Sequence, residues 1–193
     1  SSKATPSLSL SGGSISNAVN NLSGSTNCVI QNCSISYAGA DGVESRGSTE
    51  TINNNVITDC NQAGIHSLGS NVNITNNTIE RMGLVLGQAW DEGLAVGIST
   101  ENSTNLIQYN SIDSVGYDGI IIGNSTNTQI KNNLITYAML MLDDGGGIYA
   151  PLGHTNLLID GNIVLNSVGN ITGVGNTSPP ARSEGIYLDQ GTS

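Results

Sequence analysis

Phenylalanine is absent from this 193-residue sequence, tryptophan occurs once, and aromatic residues make up only 4% of it. A core of this composition cannot rest on ring packing and must be built from aliphatic side chains. Lysine and arginine number 5 against 15 aspartates and glutamates, a formal net charge of −10. That excludes nucleic acid and anionic membrane surfaces as partners, because phosphate binding needs clustered Lys and Arg. No apolar stretch approaches the roughly 18 residues of a membrane-spanning helix; the longest, 138–142, is far shorter. Cys28, Cys33 and Cys60 fit no metal-ligand spacing and read as small buried apolar side chains, with no disulfide indicated.

What the sequence has is a repeated phrase. Asn54-Asn55-Val56-Ile57, Asn76-Asn77-Thr78-Ile79 and Asn132-Asn133-Leu134-Ile135 are copies of one motif. Weaker copies stand at Asn32-Cys33-Ser34-Ile35, Tyr109-Asn110-Ser111-Ile112 and Gly161-Asn162-Ile163-Val164. A second phrase, Gly followed by Val or Ile, comes after each, at Gly42, Gly64, Gly97, Gly119, Gly147 and Gly185. From the second residue of the Asn phrase to the next Gly the steps are 9, 9, 20, 9, 14 and 23 residues (Cys33 to Gly42 through Asn162 to Gly185). From that Gly to the next Asn phrase they are 13, 13, 13, 14 and 15 (Gly42 to Asn55 through Gly147 to Asn162).

One half of the repeat is nearly fixed and the other takes every large insertion, within 83–96, 139–146 and 169–184. A short fixed period means a solenoid, in which insertions map to loops on one face, often the binding face. The base period of about 22 residues is too short for two helices per turn and suits three short strands joined by bends. Aliphatic residues point inward and stack. Asn, with a donor and an acceptor, forms a self-bonding column at the strand spacing of about 4.8 Å. Cys33 ends that column. The Gly before each Val or Ile reads as a bend needing positive φ.

The pattern resembles the right-handed parallel β-helix of the pectin lyase-like superfamily, with its PbH1-type repeats, over roughly 27–189. The resemblance implies an all-β fold: a single-stranded right-handed parallel β-helix of about seven coils. Asp143-Asp144-Gly145-Gly146-Gly147-Ile148-Tyr149 and Glu184-Gly185-Ile186-Tyr187-Leu188-Asp189 are similar to phrases in large secreted bacterial β-helix proteins, many of them associated with polysaccharides. The sequence opens Ser1-Ser2-Lys3, and Ser193 follows the last Gly-Ile phrase without a cap. The expectation is one domain over 1–193, a segment of a longer protein of the bacterial cell surface or exterior, with the remaining segments of the parent chain as its neighbours.

Ten of the fifteen acids fall in the Gly half of the repeat or its insertions, with Trp90, Tyr149, Tyr187, His66, His154, Arg46 and Arg182. Carboxylates that accept hydroxyl hydrogens beside rings that stack on sugar faces suit an extended glycan. Strand alternation predicts an outward column Glu44, His66, Ser99, Ile121, Tyr149, Tyr187, and two residues on a second, Arg46, Leu68, Glu101, Gly123, Pro151, Asp189. The candidate site is the C-terminal patch. Its acids Asp143, Asp144, Glu184 and Asp189 are candidates for the paired carboxylates, about 5–9.5 Å apart, of a glycoside hydrolase. Candidate glycan-binding residues are Trp90, Glu101, Tyr149, Tyr187, Arg182 and His154. Asp143-Asp144-Gly145 also reads as a turn closed by Asx hydrogen bonds, or as a Ca²⁺ site. Each His stands alone in the sequence.

The functional expectation is a secreted protein that binds, and as an enzyme cleaves, a polysaccharide, by hydrolysis rather than uronate elimination. The lyase reading is weak because only Arg46 and Arg182 lie on that face. The polygalacturonase branch is similar at Asp143-Asp144 and Gly153-His154, but Thr155 stands where its last Gly belongs and its Arg-x-Lys is missing. The other reading is a non-catalytic spacer or adhesin module.

Overall fold

The structure, a computed structural model, describes residues 17–21, 23–151, 153–170 and 182–189. Residues 171–181 of the third insertion lie outside the described residues. The described chain winds through three stacked sheets, and every pairing in them is parallel. Sheet A has seven strands, Val19–Asn21, Val43–Ser45, Ile65–Ser67, Ile98–Thr100, Ile120–Ile122, Gly145–Ala150 and Ser183–Leu188. Sheet B has six, Val29–Gln31, Thr51–Asn53, Asn73–Thr75, Leu106–Gln108, Gln129–Lys131 and Leu158–Asp160. Sheet C has six, Ser34–Ser36, Val56–Thr58, Thr78–Met82, Ser111–Val115, Leu134–Thr136 and Ile163–Leu165. Each coil runs B, C, A, so sequence neighbours lie around the coil and residues one period apart lie along it.

The strands are short because left-handed residues interrupt them at matching places. Between sheets B and C the turn residue has φ of 57° at Asn32, 53° at Asn54, 55° at Asn76 and 53° at Asn132. Asn tolerates this region better than most residues, since its side chain bonds locally. The first Asn of the phrase thus makes the bend and the second makes the ladder. Asn77 Nδ2 donates to Asn110 Oδ1 at 3.0 Å and to the Ile52 carbonyl at 2.9 Å. The same pattern runs through Asn55, Asn110 and Asn133 to Asn162. The column ends where the Cys33 N–H donates to Asn55 Oδ1 at 3.0 Å.

The core is the sum of three aliphatic columns. Ile52, Ile74, Ile107 and Ile130 come from sheet B, Ile57, Ile79, Ile112 and Ile135 from sheet C, and Ile65, Ile98, Ile120 and Ile148 from sheet A. All are fully buried, and each contributes on the order of 1.5–3 kcal/mol of transfer free energy. Cys28, Cys33 and Cys60 are free thiols. Burial pushes the Cys60 thiol up to about 11.

The glycines of the second phrase differ from expectation. None of Gly42, Gly64, Gly97, Gly119 and Gly147 has positive φ. They are required by close approach instead. A Cβ on Gly97 would lie 2.5 Å from Ile112 Cγ2 and 2.5 Å from the Gly119 carbonyl oxygen of the next coil. The coil closes on itself there, and only hydrogen fits.

Candidate functional site

Sheet A carries the face with the insertions. Its register aligns Asn20, Glu44, His66, Ser99, Ile121, Tyr149 and Tyr187 in one column between the inward residues, as strand alternation predicts. Arg46, Glu101, Gly123 and Asp189 follow at the trailing edge, each with its N–H bonded to the neighbouring coil.

One opening on this face lies at its N-terminal end. It is a groove of about 620 Å³ floored by Asn20, Glu44 and His66 and walled by Trp90 and Asp91 of the first insertion. That loop is fastened where the Trp90 N–H donates to Gln62 Oε1 at 3.2 Å and where Asp91 accepts from the Leu94 N–H at 2.9 Å. The indole itself is 77% exposed. Within the groove Asp41 Oδ2 lies 3.5 Å from His66 Nδ1. Asp41 Oδ1 accepts the Ala63 N–H at 3.0 Å, which fixes the carboxylate. Glu44 accepts from Asn17 and from the Arg46 guanidinium. His66 therefore does not stand alone: its partner sits one coil back, where sequence distance hides it.

The C-terminal patch is built on the last two described strands of sheet A. Tyr149 and Tyr187 stack with ring centroids 5.0 Å apart and planes 16° from parallel. The Tyr149 hydroxyl donates to Asp189 Oδ2 at 3.2 Å. Burial and that bond to a carboxylate raise the Tyr149 hydroxyl well above its ordinary value. Asp144 takes φ of 63°, donates its N–H to the Arg182 carbonyl at 2.9 Å and accepts the Tyr117 hydroxyl on its own carbonyl at 3.0 Å. Glu184 stands opposite Gly146 in register. Asp143, Glu184 and Asp189 are half-buried, and Asp144 and Arg182 exposed. Asp143, Asp144, Glu184, Asp189, Arg182, Tyr149 and Tyr187 thus lie on two adjacent coils, as grouped from the sequence.

Beneath this patch Asp118 is fully buried and accepts the Gly146 N–H at 2.7 Å. Burial raises its carboxyl well above the ordinary range, and nearby Asp144 adds to the effect. It is sealed from solvent, so it braces the strand and cannot reach a ligand. Among the described residues no three His, Cys, Asp or Glu side chains converge to hold a metal ion.

The other sequence candidates lie apart. Glu101 is exposed at a separate opening of about 390 Å³, lined also by Asn102, Gly123, Asn124 and Pro151. His154, expected on the surface, is 1% exposed. His154–Thr155 pairs with Ser125–Thr126 in a small two-stranded sheet, which turns the ring inward, its Nδ1 3.2 Å from Ser125 Oγ. Burial lowers its pKa. A ring so enclosed does not offer itself to a sugar. Of the groove residues, Glu44, Arg46 and His66 belong to the outward columns expected from strand alternation, whereas the buried Asp41, before Gly42, does not. The signal favouring them over the C-terminal patch was the single Trp in the insertion beside them.

With coils, ladder and grooved face in place, the class is a right-handed parallel β-helix. The profile of the family described as "Right handed beta helix region" matches residues 17–193, and the chain belongs to that family. No curated protein matches the sequence. The crystal structure of an alginate lyase from Paenibacillus sp. str. FPU-7 is similar in fold, with a TM-score of 0.64 and 19% identity, over 80% of this chain and 55% of that one. The chain therefore spans little more than half the length of that protein. The A-module of mannuronan C-5 epimerase AlgE4 from Azotobacter vinelandii has a TM-score of 0.32 and 11% identity, over 84% of this chain and 58% of that one. The corresponding AlgE6 module has 0.37 and 12%, over 86% and 56%. Likenesses of that strength say nothing further about this chain.

Proposed function

We propose that this β-helix binds a polysaccharide lengthwise across sheet A. The groove under Trp90 is its principal subsite and the Tyr149–Tyr187 pair a second one. The observation that carries the reading is the 77% exposure of Trp90 above an open groove. A large exposed indole beside carboxylates and amides is a sugar platform with hydrogen-bonding partners at hand. The outward column leads from that groove to the tyrosines, so one extended polymer reaches both. A spacer module needs neither an open groove nor an exposed ring, which weighs against the purely structural reading. The alginate lyase of similar fold illustrates that a β-helix can support polysaccharide chemistry, but fold alone assigns no activity. An extracellular or cell-surface location fits this reading, since such polymers are met there.

The test is a panel of polysaccharides assayed for binding and for release of new reducing ends. Trp90→Ala and Tyr149→Ala each weaken binding about tenfold if rings supply the platforms. Binding that neither change alters removes the proposal. A hydrolytic reading draws on one further observation, that Asp144 and Asp189 flank the stacked tyrosines on adjacent coils. It predicts reducing-end release that Asp144→Asn, Glu184→Gln or Asp189→Asn abolishes while binding persists. Release untouched by all three changes excludes these acids, and an ultraviolet-absorbing unsaturated product points to elimination instead.

A further inference from the structure

We infer that the polymer is an uncharged glycan and that the sheet A face discriminates against polyuronates; the inference rests on the polysaccharide-binding reading above. Three carboxylates line the groove, Asp41 and Glu44 in its buried floor and Asp91 exposed on its wall, against Arg46 and the His66 ring beside Asp41. Arg46 already has its Nε on Glu44. Beyond the groove the outward column continues as Ser99, Ile121, Tyr149 and Tyr187, with no cation. Beyond Arg46 the trailing edge adds the carboxylates Glu101 and Asp189, and Arg182 is the cation of the C-terminal patch, set among Asp143, Asp144, Glu184 and Asp189.

A polyuronate carries a carboxylate on every ring. Laid along coils that step about 4.8 Å, it brings those charges within a few ångströms of Glu101 and Asp189. This is well inside the Debye length of about 8 Å at physiological salt, so the repulsion is not screened away. Neutral sugars meet the same surface favourably. Their hydroxyls donate to the exposed carboxylates Asp91 and Glu101 and exchange hydrogen bonds with Asn20. Their ring faces lie on Trp90 and on the tyrosine pair. The acids that repel a uronate thus serve as acceptors for an uncharged chain.

The experiment is calorimetric titration of the whole chain with a neutral β-glucan and with alginate and polygalacturonate oligomers of matched length, in chelator, at low and high salt. The β-glucan should bind with little dependence on salt. The polyuronates should bind at least about tenfold more weakly at low salt, with the gap narrowing as salt rises. The double variant Glu101→Gln/Asp189→Asn, checked for fold by circular dichroism, should tighten polyuronate binding at low salt; polyuronate affinity unchanged in this variant overturns the assignment of the repulsion to these two acids. Polyuronate binding as tight as, or tighter than, glucan binding at low salt overturns this inference and leaves the polysaccharide reading standing. Binding of neither class overturns both.

Discussion

Asp41 Oδ2 lies 3.5 Å from His66 Nδ1, joining two adjacent coils at the floor of the groove. The two residues have separable roles. Asp41 also holds the Ala63 N–H at 3.0 Å, whereas His66 faces the groove from the middle of its strand. Asp41→Ala leaves a buried N–H without its acceptor and should cost about 1–3 kcal/mol. Asp41→Asn keeps the acceptor and most of that stability. His66→Ala should leave urea denaturation almost unchanged and lower glycan affinity by about fivefold, the worth of one hydrogen bond. Paired denaturation and titration of the three variants separate the roles; unaltered glycan affinity in His66→Ala removes His66 from the site.

The Asn ladder should be the most sensitive part of the scaffold. Asn77 Oδ1 accepts the Asn55 N–H at 3.0 Å, and its Nδ2 serves both Asn110 and the Ile52 carbonyl. Asn77→Ala strands several buried groups at about 1–3 kcal/mol each, so a loss of at least about 3 kcal/mol is expected. Asn162→Ala, at the half-buried end of the column, should cost less. Equal urea midpoints for the two variants would mean that the ladder is not a buried network.

The glycine column supplies an internal control. Gly97→Ala puts a methyl group 2.5 Å from both Ile112 and the Gly119 carbonyl, while at Gly185 a Cβ would meet nothing within 4 Å. Gly97→Ala should lose about 1–3 kcal/mol or more to overpacking. Gly185→Ala should be neutral or slightly stabilising, because it narrows the unfolded ensemble. Similar losses at both positions would revive a backbone-conformation explanation.

Two buried groups set opposite pH trends. Asp118 has its folded-state pKa raised well above 3.8 by burial. Its stabilising contribution is present below pH 3.8 and is lost as pH rises through the folded value. Asp118→Asn keeps an acceptor for Gly146 and should therefore stabilise the protein at neutral pH, with the gain vanishing below about pH 3.8. His154 has its folded-state pKa lowered below 6.5 by burial. The unfolded chain then binds more protons, so stability falls as pH drops below about 6.5 and levels off under the folded value. His154→Asn should flatten that limb of the stability–pH profile, measured from urea midpoints between neutral and mildly acid pH.

The fold was legible because a solenoid repeats its local rule. The Asn phrase, the outward column and the place of the insertions all follow from one period. The glycines were misread because their constraint is a contact between coils, which no local conformational preference records. His154 was misplaced for a similar reason: pairing with Ser125–Thr126 turns it inward. The groove was the hardest feature to see. It unites Asp41, His66 and Trp90 from a bend, a strand and an insertion that depart from the repeat, so periodicity describes its floor and not its wall.

Trp90 is the only tryptophan in the sequence, so its fluorescence reports on the groove alone. Titrating the protein with a neutral glycan while following this emission tests the central claim most directly. A polymer held under the indole predicts a saturable change in intensity with a shift to shorter wavelength, and its midpoint should match the calorimetric affinity. Glycan binding seen by calorimetry with unchanged Trp90 emission would contradict the placement of the polymer on this face.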